Sequence, residues 1–109
     1  MKNLSTCLFL LLPLLSFHLQ AASHSQDNGV ISRVFVSAEG AVAAQLKGGF
    51  PRAISDNQCP ENNGWAGLRM ADNTIKSAIL AAKTANLSVT ITIEGCEGPW
   101  FKIKDIYLN

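Results

Sequence analysis

The chain has 109 residues, with nine Lys and Arg against eight Asp and Glu and a formal charge of +1. That length holds one small domain, and the near-neutral balance argues against a nucleic-acid binder, which needs a basic face to neutralise phosphates. It argues equally against a surface held to anionic lipid by charge.

The first two dozen residues have the three-part layout of a secretory signal. Lys2 opens it, the apolar run LFLLLPLLSF (8–17) follows, and the small residues Ala21, Ala22 and Ser23 close it. Cleavage is expected after Ala22 or after Ser23, giving a signal over 1–23 and a single domain over 24–109. As a permanent span, 4–22 is barely long enough and is weakened by Pro13, His18 and Gln20, so no membrane association is expected once the signal is gone. The expected location is the periplasm or the medium. Cys7 precedes the apolar run, the wrong side for a lipid-modified cysteine, and reads as a passenger in the signal. Removal leaves Cys59 and Cys96, an even pair in an exported chain, which implies one disulfide. Closing that interval contributes about 4 kcal/mol by the loop-entropy estimate.

The segment 23–29 (SHSQDNG) is polar and turn-rich and is expected to be a loose arm. Residues 30–37 and 41–47 alternate as strands around the turn AEG (38–40), predicting a hairpin. In the first, Val30, Ser32, Val34 and Val36 share one parity and Ile31, Arg33 and Phe35 the other. In the second, Val42, Ala44 and Leu46 share a face. The breaker-rich stretch 48–64 reads as a long loop carrying Cys59, and 65–70 as a third strand.

ADNT (71–74) is a helix start with Asp72 or Asn73 as N-cap. Ile75, Ala78, Ile79 and Ala82 then recur at helical spacing, predicting the one helix of the domain, which stops at Asn86. LSVTITIEG (87–95) alternates as a half-buried strand. CEGP (96–99) turns the chain, and 100–108 is the last strand. There a bulge near Lys104 and Asp105 would return Phe101, Ile103, Ile106 and Leu108 to one core face. Lys102 and Lys104 suit an edge strand defended against association. The order β-β-β-α-β-β predicts a mainly β domain: a five-stranded antiparallel, OB-like, partly open barrel capped by one α-helix.

Catalysis is not expected. His24 is the only histidine after the signal, and it lies in the expected arm, so no nucleophile has an anchored base. Metal-ligand spacings and phosphate-cradling glycine motifs are missing too, so no cofactor or metal is implied. Glu94, Glu97 and Asp105 are the carboxylates a hydrolase would have to use, but solvated charge explains Glu94 and Glu97 better. Trp65, Trp100, Phe101 and Tyr107 are the stronger lead. Trp65 and Trp100 each open a strand near a cysteine, so a disulfide would bring them to one edge. In a chain with few large side chains the favoured expectation is that both fill the core beside the bridge. Exposed at a rim, with Asn62, Asn63 and Glu97 as hydrogen-bonding neighbours, they would suit a sugar or an aromatic protein anchor.

The run from NNGWAGLRM through IKSAILAAKTANLSVTITIEGC to FKIKDIYL resembles a group of small exported bacterial proteins of unknown function. In architecture alone the layout is similar to the OB-type B subunits of AB5 toxins, which assemble as rings and bind glycans. The first resemblance implies an exported domain of this layout. The second implies a homo-oligomer, and no binding residue carries over from it. The expected role is therefore non-catalytic binding of a protein or glycan partner, with a toxin-type glycan-binding subunit as the alternative.

Overall fold

The computed structural model describes residues 23–109, so the expected signal, Ser23 apart, lies outside the described residues. Five strands are present: β1 (Ser25–Val36), β2 (Val42–Leu46), β3 (Ala66–Leu68), β4 (Ser88–Glu97) and β5 (Trp100–Leu108). Helix α1 (Pro51–Ser55) lies between β2 and β3, and helix α2 (Asn73–Ala85) between β3 and β4. The strands join in the order β1-β2-β3-β5-β4, and β4 pairs back onto β1 to complete a ring of OB-like layout. Every pair is antiparallel except β3–β5, which runs parallel. This corrects the all-antiparallel expectation, and the reason is arithmetical: five alternating directions cannot close a ring, so one neighbouring pair must share a direction. That pair also removes the edge that Lys102 and Lys104 were expected to guard, since β5 has a neighbour on both sides.

The N-terminal arm is strand. Residues 25–30 pair with β4, and 31–36 of the same strand pair with β2. Ser25 and Asp27 are buried there, 3% and 5% exposed. Asp27 accepts from the backbone N–H groups of Arg52 and Ala53 at 2.9 and 3.0 Å. It thereby satisfies the free donors at the start of α1, whose own N-cap Phe50 supplies no side-chain bond. A polar residue buried to serve a distant helix carries no hydrophobic signal, which is why the segment reads as an arm.

A register shift at Ser32 puts Ile31 and Val34 both toward the core and leaves Arg33 and Phe35 outside. A second shift, between Asp105 and Ile103 of β5, returns Phe101, Ile103 and Ile106 to the core side. Leu108, expected with them, is 43% exposed. Its neighbour Tyr107 is exposed as well, so the packed part of the strand ends before both.

Helix α2 forms as its sequence dictates. Asp72 caps it by accepting from the Thr74 N–H at 2.9 Å, and Asn86 ends it in the left-handed conformation, φ 55° and ψ 42°. Ile79 and Ala82 are fully buried, and Ile75 packs on the same core. The stretch 48–64 is more than a loop. Phe50 and Ala53 enter the core, with Phe50 against Phe101 at 5.6 Å between ring centres. The bridge Cys59–Cys96, Cα–Cα 5.1 Å, then ties this segment to the end of β4. No helix among the described residues is long and apolar enough to cross a membrane.

Two outcomes follow. Cys96→Ser should lower stability by about 3–4 kcal/mol, a fall in melting temperature of roughly 10 °C or more by calorimetry. The hydrogen bond from the Thr74 backbone holds the Asp72 carboxyl below its ordinary value. A carboxyl so depressed stabilises the fold above the ordinary carboxylate range and loses that contribution as pH falls through its folded value. Asp72→Ala should therefore melt earlier than the parent at neutral pH, and the gap should narrow as the melts are repeated at pH values progressively below the ordinary aspartate value.

Candidate functional site

The parallel closure determines where the tryptophans go. Ala66 pairs with Phe101, and both are fully buried in the core. Successive strand residues alternate faces, so Trp65 and Trp100, one position before each, emerge side by side on the outside. The Phe101 N–H donates to the Trp65 carbonyl at 2.9 Å and locks that register. Both indoles are half-buried, and neither belongs to the core cluster. The favoured expectation that they fill the core beside the bridge is thus corrected: the buried positions there belong to Phe101, Phe50 and Cys59.

What the indoles pack against is Phe35. Its ring centre lies 6.5 Å from Trp65 and 5.9 Å from Trp100, with interplanar angles of 76° and 65°. The Arg33 guanidinium lies over the Trp65 ring, 5.1 Å from its centre, a favourable cation–π distance. Phe35 pairs with Ala43, Ala43 with Gly67, and Gly67 with Lys102, one row across the sheet. The middle of that row is as small as residues allow. A Cβ on Gly67 would lie 2.7 Å from the Ala43 Cβ, and Ala43 is itself fully buried on the outer parity. The rings thus gather over a shallow part of the sheet, with Phe35 still 43% exposed.

The polar neighbours named from the sequence are close in the chain but serve the scaffold. Asn62 donates to the Cys59 carbonyl and accepts from the Gly64 N–H, both at 2.9 Å, while Asn63 accepts from the Trp65 N–H at 3.2 Å. Together they shape the turn that delivers Trp65. Glu97 accepts from the Arg69 N–H at 3.0 Å, fastening the β4–β5 hairpin to the end of β3. Tyr107 lies toward the far end of β5, paired with Thr90, and takes no part in the patch. Of the carboxylates weighed for catalysis, Glu94 sits 4.0 Å from Lys104, and Asp105 has a buried carboxylate oxygen with no hydrogen-bond partner. No group of three or more His, Cys, Asp or Glu among the described residues could hold a metal ion.

Sequence reading missed Phe35 and Arg33. The strand parity grouped them with Ile31, a core residue, and only the shift at Ser32 separates the three. No family model, curated protein or solved structure matches the chain.

Because Phe35 is the shared neighbour of both indoles, Phe35→Ala should shift tryptophan emission to the red and raise its quenching by acrylamide. The cost in stability should be only about 1 kcal/mol, since the ring is half exposed.

Proposed function

We propose that the chain is a non-catalytic domain, exported to the periplasm or the medium, that binds a partner protein through Phe35, Trp65, Trp100 and Arg33. The observation that supports this most is the gathering of three aromatic rings and a guanidinium outside the core, on a sheet face kept shallow by Ala43 and Gly67. Trp, Tyr and Arg dominate the residues whose loss most weakens protein interfaces. A sugar stacks on a flat, open ring face, whereas here Arg33 occupies a face of Trp65 and Phe35 meets both indoles at steep angles. A rounded apolar knob with a cationic rim suits a protein surface better than a pyranose. Export is compatible with the Cys59–Cys96 bridge, which persists in oxidising compartments.

A second reading, a glycan-binding B subunit of an oligomeric AB5-type toxin, draws support from the strand order and the position of α2. Those are matters of architecture, and function does not travel with them.

The native mass of the exported protein, by light scattering after gel filtration, separates the two. A monomer is expected, and a stable pentamer would move the glycan-binding ring ahead and call for a glycan array. For the monomer, a photoreactive phenylalanine analogue at position 35 should form a protein adduct in the exporting cells. The adduct should vanish when Trp65 and Trp100 are both changed to Ala. If it survives that change, the contact surface lies elsewhere.

A further inference from the structure

We propose that the amino terminus created by export is a Cu(II) site built on His24. The inference rests on the signal-cleavage reading, and either expected cleavage places His24 where its chemistry matters. After Ala22, the chain begins Ser23-His24. The Ser23 amine, the His24 amide nitrogen and His24 Nδ1 then close two fused chelate rings on one ion. After Ser23, the His24 amine and its own Nδ1 close a single six-membered ring. Tetragonal nitrogen sets of this kind are what Cu(II) prefers, and it stands highest among the divalent first-row ions in affinity for them.

The local geometry is arranged for it. Ser23 and His24 are exposed. Ser23 Oγ lies 3.2 Å from His24 Nδ1, so the ring nitrogen that must chelate is turned back toward the residue whose amine cleavage after Ala22 would free. The β1–β4 ladder starts at Ser25, paired with Ile93, which leaves the His24 backbone just outside the sheet. The two residues are thereby tethered to a rigid strand while their own nitrogens lie outside its pairing.

A groove of about 500 Å³ adjoins them, lined by His24, Ser25, Gln26, Asn28, Arg52 and Asp56. Asp56 is held there by a hydrogen bond from Ser25 Oγ. It is the carboxylate that shares this groove with His24. Arg52 is the opposing charge on the groove. Binding releases the ammonium proton and, with Ser23 first, the His24 amide proton to solvent, which offsets part of the charge of the ion. Copper remains Cu(II) throughout, so no electron donor is needed.

The test uses protein harvested after export, stripped of metal with a chelator and titrated with copper sulfate. Intact mass identifies the first residue, and a start other than Ser23 or His24 overturns the cleavage reading. The site is judged separately on protein released from a fusion by a protease so that Ser23 leads, since residues 23–109 contain every element of the ring. One equivalent of Cu(II) should then give an electron paramagnetic resonance spectrum with nitrogen hyperfine splitting. That spectrum should be lost in His24→Ala, and lost again when a retained tag precedes Ser23 with His24 intact. The melting temperature of metal-free His24→Ala should match that of the parent, because the side chain is exposed. Survival of the spectrum in either altered form, or its absence from the parent, overturns the proposal.

Discussion

The ring of strands closes through two residue pairs, Ala66 with Phe101 and Gly67 with Lys102. A three-residue strand supplies little hydrogen bonding, so the closure depends on what surrounds it. The Phe101 N–H reaches the Trp65 carbonyl, the Asn63 N–H reaches the Pro99 carbonyl, and the bridge Cys59–Cys96 joins the two flanks covalently. All three act within a few residues of the parallel pair. Without it, β3 and β5 would present free edges, the interior would open to water, and Trp65 and Trp100 would lose the strand pairing that sets them beside one another.

The core is light, as befits a domain of this size. Valine, isoleucine and alanine side chains from β1, β2, β4 and α2 fill most of it, and Phe50 and Phe101 are the large pieces. Phe50 arrives from outside the sheet, on the segment that also carries α1 and Cys59. That segment is therefore fastened three times: by the Asp27 carboxylate at the start of α1, by Phe50 in the core, and by the disulfide at its far end. Small domains bury too little apolar surface to leave a long connection idle.

The outer patch and the inner core are two consequences of one register. Because Ala66 and Phe101 face inward together, Trp65 and Trp100 face outward together, and the shift at Ser32 swings Phe35 and Arg33 round to meet them. The same strand positions thus decide what is hidden and what is offered. Asn62, Asn63 and Glu97 spend their polar atoms on the backbone of adjoining turns.

Local chemistry made much of the fold readable in the sequence. Asp72 and Asn86 bound α2 because capping and left-handed geometry are properties of single residues, and Ile79 and Ala82 mark its buried stripe through simple spacing. Val89, Ile91 and Ile93 announce β4 by alternation, and the two cysteines that follow the expected signal are joined as an even pair implies. What the linear chain does not carry is any pairing between distant backbones. Burial of Asp27 depends on a helix start some two dozen residues away, and the parallel pair arises only when an odd number of strands closes on itself. Phe35 joins the tryptophans through a one-residue shift in the pairing of β1 with β2. Sequence by itself determined α2 with its caps, the alternation of β4 and the disulfide, because those follow from neighbours along the chain. Tertiary structure alone decided which aromatic rings lie inside and which outside, because that choice belongs to strand register, and register is settled by contacts between strands.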